Sequence, residues 1–162
     1  MTYDNEVSIS MSARSQNEGF ARVAAAAFTA PFDPLLSELT DIKTAVSEAV
    51  TNAIIHGYEN NNNGIVYITF RSSGDEIIIT ITDEGVGIAD VEQAMTPLYT
   101  SKPELERSGM GFTVMQAFMD HVEVSSAAGR GTTVEMRKKF ARQSQKSDFD
   151  RLFTGLGGPG ER

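Results

Sequence analysis

Ser47-Glu-Ala-Val-Thr-Asn-Ala-Ile-Ile-His-Gly57 reads as the last turns of an amphipathic helix. Ile42, Val46, Ala49, Val50 and Ala53 recur at helical spacing and predict a face turned to a core. Glu48 and Asn52 are four apart, so one stands above the other on a single side of the helix. At about 100° per residue that side lies on the flank of the apolar stripe. A carboxylate and an amide at the rim of a core can meet a ligand that enters between helix and sheet. Gly57 is expected to end the helix as a residue free to take positive φ. His56, four residues after Asn52, has two readings: facing the same side as Asn52, or, favoured, a helix-terminal histidine beside carbonyl oxygens.

Upstream, Val7, Ile9 and Met11 alternate with serines, the pattern of a half-buried strand. Ser15 followed by Glu18 resembles a capping box. It opens a helix whose predicted inward stripe is Phe20, Val23, Ala24, Ala27 and Phe28, with Arg22 off that stripe. Pro31 stops this helix. Asp33-Pro34 starts the next, with proline at the first helical position.

Downstream, Ile65 to Arg71 and Glu76 to Asp83 read as a hairpin, joined by a polar link containing Gly74. Val66, Ile68 and Phe70 share one face, and Ile77, Ile79 and Ile81 share another. One apolar face per strand suits helices stacked on one side of a sheet. Asp83-Glu-Gly85-Val-Gly87 then lets the backbone turn tightly and approach a ligand. Asp90 to Ala94 reads as a short helix. From Met95 to Ser108 periodicity fails, and a loop of that length inside a compact domain is usually functional, often a lid. Ser108-Gly109-Met110-Gly111 opens another helix, whose exposed amides suit phosphate. Two strands follow, Val122-Val124 and Thr132 to Phe140, with His121 read as structural.

The 162 residues include no cysteine, which excludes disulfides and thiolate metal sites. A net charge of −8 argues against direct contact with a nucleic-acid backbone. No apolar run approaches a membrane span. The first residues lack the basic and apolar regions of a signal peptide, so a cytoplasmic protein is expected. Residues 1–140 are expected to form one domain. Residues 141–162, polar and then glycine-rich, are expected to be a disordered tail.

The order of these features is more telling than any one of them. Glu48 and Asn52 on a helix, Asp83-x-Gly85-x-Gly87 after a strand, a long loop, Gly109-x-Gly111 at a helix start and Thr132 after Gly129-Arg-Gly131 together resemble a known nucleotide-binding domain. It is shared by DNA gyrase, heat-shock chaperones, histidine kinases and MutL-type proteins. Its helix motif matches residues 48–57, and its two glycine boxes match Asp83–Gly87 and Gly109–Gly111. The resemblance covers roughly residues 7 to 140. From Ser12-Ala-Arg-Ser to Lys102-Pro-Glu-Leu-Glu-Arg-Ser-Gly-Met-Gly-Phe112 it narrows to the bacterial anti-sigma F factors, serine kinases of sporulation. The stress-response anti-sigma B kinases are similar but more distant.

That resemblance implies an α+β fold of two layers, a mixed, mainly antiparallel sheet with helices on one face, the Bergerat-type ATP-binding fold. It implies ATP or ADP with Mg²⁺ as ligands. The implied partners are a sigma factor of the sigma F type and an anti-anti-sigma protein phosphorylated on serine, with a homodimer as the acting form. Asn52 would supply an oxygen to Mg²⁺, and Glu48 would accept or orient the serine hydroxyl proton. Asp83 would accept from the adenine amino group, with Gly85 and Gly87 allowing close approach, and Thr132 would also bind the nucleotide. Ser108, Gly109, Met110 and Gly111 would meet the phosphates. Arg107, and less directly Lys102, would face the γ-phosphate. Arg22 would dock a partner. The rival of another class is a nucleotide-gated sigma-binding module that transfers no phosphate.

Overall fold

The structure is a computed structural model, and it describes residues 2–97 and 110–141. Five strands form one sheet in the order β1-β2-β3-β5-β4, and all four ladders are antiparallel. The strands are β1 (Asn5–Ser12), β2 (Ile65–Ser73), β3 (Glu76–Asp83), β4 (His121–Ser126) and β5 (Thr132–Lys139). The helices are α1 (Glu18–Thr29), α2 (Leu36–Asn52), the single turn α3 (Val91–Ala94) and α4 (Gly111–Phe118). This is the two-layer α+β arrangement that the sequence implied.

The hairpin forms as expected. Ser73 pairs with Glu76 across a two-residue turn, and Gly74 occupies its first position at φ 61°. Val66, Ile68, Phe70, Ile77, Ile79 and Ile81 are all buried on one face, joined by Val134 and Met136 of β5. Against them pack Ile42, Ala45, Val46, Ala49 and Val50 of α2. The apolar stripe read around the helix motif is therefore the core stripe.

α1 departs from its predicted phase. Ala21, Ala25 and Thr29 are its buried residues, whereas Phe20 and Val23 are 62% and 67% exposed. The reason is size. Small side chains let α1 lie close against α2; of the predicted stripe Ala24 and Phe28 do pack against the core, Phe28 stacking on Phe70 at 5.5 Å, whereas Phe20 and Val23 do not. The capping box is also absent. Residues 15–17 form a 3-10 turn with no side-chain cap. The Glu18 carboxylate instead accepts from the Ser47 hydroxyl and pairs with Arg22 at 3.2 Å.

α2 starts two residues later than Pro34 predicted. Asp33 sits in the left-handed region, and Leu35 is the residue before the first turn. The Leu35 amide donates to Glu38 Oε2 at 2.8 Å, which satisfies one of the helix-start donors. α3 is capped by Asp90, whose Oδ1 accepts from the Gln93 amide at 2.9 Å. The expected lid falls largely on residues 98–109, and the expected tail on residues 142–162, both outside the described residues.

Candidate nucleotide site

α2 does not simply stop. After Asn52 it widens into a π turn over Ala53–Gly57, closed by the Tyr58 amide donating to Ala53 C=O at 2.9 Å. Such turns are rare and concentrate at functional sites. Gly57 does not have positive φ, so it is not the left-handed cap that was expected; Glu59 and Asn60 take that conformation instead. Gly57 is needed for closeness. A Cβ there would lie 2.7 Å from both Cγ and Oδ1 of Asp83.

A cavity of about 380 Å³ opens between the end of α2 and the sheet. Ile81 and Val134 give it an apolar floor. Its polar wall residues include Asn52, His56, Asp83, Gln93, Thr113 and Thr132. The volume and the few converging polar groups are those of a small-molecule site. His56 thus belongs to the wall, the less favoured of its two readings.

At one end, Asp83 closes β3 directly opposite Thr132, the first residue of β5. Asp83 is only 5% exposed. Its Oδ1 accepts from the Gly85 amide at 3.0 Å. Burial pushes the Asp83 carboxyl above the usual carboxylate range, opposed by hydrogen bonds from the Gly85 and Thr132 backbone. The loop after it rests on the π turn. The Val86 amide donates to Gly57 C=O at 2.9 Å, and a Cβ on Gly85 would lie 2.0 Å from that same oxygen. Gly85 therefore stands behind the wall, while Gly87 is part of it.

Tyr58 locks this arrangement. Its hydroxyl donates to Ile65 C=O at 2.5 Å and accepts from the Glu84 amide at 2.8 Å. Burial raises the phenol's pKa, and the charges of Asp83 and Glu84 add to it, so the donor proton is retained.

At the other end, α4 begins against α2. A Cβ on Gly111 would lie 3.1 Å from Asn52 Nδ2 and 3.3 Å from Glu48 Oε2. The two α2 side chains therefore converge on the entry of α4, as their spacing predicted. Asn52 and Gly111 line the cavity; Glu48 stands beside Gly111 and is not one of the wall residues. Met110 precedes the first helical turn, and its own side chain does not cap that turn. The first amides of that turn have no intrahelical acceptor and suit an anion. Lys102, Arg107, Ser108 and Gly109 lie outside the described residues. Arg22 is on the solvent side of α1, away from the cavity walls. Among the described residues no group of three or more His, Asp or Glu could hold a metal ion. A metal here would therefore depend on ligand oxygens, and the Asn52 carboxamide is the kind of single hard donor that fits one bound with phosphates.

The sequence profile of the histidine kinase-like ATPase domain matches residues 11–138. An anti-sigma F factor from Clostridium beijerinckii is 59% identical over 137 residues, covering 85% of this chain and 96% of the relative. The anti-sigma F factor of Geobacillus sp. strain WCH70 is 61% identical over 138 residues, covering 85% and 94%. The chain belongs to the anti-sigma F factor family. Solved structures agree on the fold of that family. The RsbU and RsbW domains of a Mycobacterium tuberculosis protein superpose with a TM-score of 0.58 at 19% identity, over 83% of this chain and 32% of that one. The catalytic domain of the histidine kinase ThkA gives a TM-score of 0.54 at 15% identity, over 86% and 96%. The chain thus carries a histidine kinase-like ATPase domain, which implies nucleotide binding, and the cavity is lined from both sides by Asn52 of the helix motif and by Asp83 and Gly87 of the first glycine box.

Proposed function

We propose that the chain is an anti-sigma factor of the sigma F type, acting in the cytoplasm as a homodimer, that also phosphorylates a serine of an anti-anti-sigma partner. The observation that carries the kinase half is Glu48, a carboxylate beside Asn52 at the start of α4. In the transfer, the serine oxygen forms a bond to the γ-phosphorus. The bond from that phosphorus to the β,γ-bridging oxygen breaks, leaving ADP, and the hydroxyl proton passes to Glu48. Such general-base help is worth about 10²–10⁴-fold.

The remaining roles are those the resemblance implies, supported by Asn52, Asp83 and Gly111 lining one cavity. Asp83 accepts from the exocyclic amine of the base, and the α4 amides from Met110 and Gly111 onward meet the phosphates together with Ser108 and Gly109. Asn52 would hold Mg²⁺ through its side-chain oxygen, and the ion when bound offsets phosphate charge. Arg107, with Lys102, neutralises the γ-phosphate as it departs. Arg22 docks a partner protein. It is half exposed, on an α1 surface that also presents Phe20 and Val23 to solvent, and exposed apolar groups of that kind mark interaction surfaces.

The test is to incubate the protein with ATP, Mg²⁺ and the anti-anti-sigma protein, then locate phosphate by mass spectrometry. Phosphoserine on the small partner is expected. Nucleotide-dependent sigma binding with no phosphoserine would reject the kinase and leave the sequestering module.

A further inference from the structure

Ser126 closes β4 and does not line the cavity. Its hydroxyl nevertheless meets three groups around the base end. It donates to Gly131 C=O at 2.7 Å, accepts from the Ile88 amide at 2.8 Å, and lies 2.9 Å from Thr132 Oγ1. A serine hydroxyl has one proton and two lone pairs. A carbonyl can only accept, so the proton belongs to Gly131. The Ile88 N–H occupies one lone pair. The Thr132 contact must then use the second, with Thr132 as the donor.

The consequence falls on the cavity. With its proton held by Ser126, Thr132 can offer only lone pairs to a ligand. Asp83, its partner across the β3–β5 ladder, is an acceptor when ionised. Both side chains at that end therefore ask for donors. An exocyclic amine satisfies them, whereas a carbonyl at the same position would face only lone pairs. A site built to accept strongly disfavours a ligand without the donor, because its buried groups stay unpaired.

We infer that Ser126 is a positioning residue for base selection, holding the Thr132 hydroxyl as an acceptor so that the site takes 6-amino purines and turns away 6-oxo purines. This rests on the adenine-nucleotide reading of the cavity. The same serine ties the loop after Asp83 to the β4–β5 turn. The test must therefore read selectivity and not affinity alone.

The measurement is competitive displacement of a fluorescent ADP by ADP and by inosine diphosphate, which differ in the 6-amino or 6-oxo group and in N1 accepting or donating, in wild type, Ser126→Ala and Ser126→Cys. Wild type should prefer ADP. In Ser126→Ala the Thr132 hydroxyl is freed to turn and donate, and the ADP-to-IDP preference should narrow by about tenfold, one hydrogen bond's worth. Ser126→Cys keeps the side chain's size but accepts weakly, and should narrow it in the same direction; it decides the matter if Ser126→Ala shows no folding transition. Equal weakening of both nucleotides, or no change in either, would overturn the proposal while leaving the nucleotide site intact. Failure of wild type to bind ADP would overturn the nucleotide reading itself, and the role of Ser126 with it.

Discussion

At the Asp83 end of the cavity, main chain packs on main chain. Gly57 carries the Asp83 carboxylate against its Cα, Gly85 rests on the Gly57 carbonyl, and a Cβ on Gly131 would lie 2.0 Å from Asp83 C=O. Tyr58 and Ser126 tie the loops that meet there. At the Asn52 end, by contrast, Glu48 and Asn52 reach from α2 across to a single glycine of α4. One end is a fixed mould, and the other is a set of side chains placed for chemistry. The difference makes recognition of the base, at the first end, separable by mutation from the transfer step, which rests on Glu48 at the second.

The largest effect should come from filling the mould. Gly85→Ala places a methyl 2.0 Å from the Gly57 carbonyl, and overpacking against backbone typically costs about 1–3 kcal/mol. The Asp83 carboxylate sits on the same glycine, so its position must shift too. ADP affinity should fall by about 100-fold or more, and phosphate transfer should fall with it. Calorimetry and a transfer assay on the folded variant check this; full transfer in a variant that no longer binds ADP would break the comparison.

Asp83→Asn should act on the same end more gently and with an opposite effect on stability. A hydrogen bond to a charged group is worth about 1.5–3 kcal/mol, so ADP affinity should drop by roughly 10–100-fold. The folded carboxyl has a raised pKa. Its contribution to stability is therefore full below the ordinary carboxylate range and lost as pH rises through the raised value. At neutral pH the ionised group weighs against the fold. Nucleotide-free Asp83→Asn should melt at or above the wild-type temperature at pH 7, with the gap closing as pH falls toward 4. A variant that melts lower at pH 7 would contradict this account of the burial.

How far the sequence reveals these two ends also differs. The Asn52 end is nearly all local. Glu48 and Asn52 share a helix side whose apolar neighbours Ile42, Val46, Ala49 and Val50 fix its phase, and all four are buried as read. The Asp83 end depends on contacts far apart along the chain. Tyr58 reaches Glu84 across 26 residues and Ser126 reaches Ile88 across 38. No spacing rule marks such a serine or tyrosine. Gly57 was visible but misassigned, because a glycine required by a neighbouring carboxylate reads the same as one required by positive φ. α1 went astray for a related reason. Periodicity favours large apolar residues, whereas the residues α1 buries fully are the small Ala21, Ala25 and Thr29.

The central claim is that base recognition at one end is separable from the transfer step at the other, and its most telling prediction is the smallest effect on binding. Glu48→Gln keeps the side chain's size and removes the base. ADP affinity, read by calorimetry, should stay within about twofold of wild type. Phosphate transfer to the anti-anti-sigma serine should fall by about 10²–10⁴-fold. Loss of ADP affinity in parallel with transfer would contradict the division, and so would undiminished transfer.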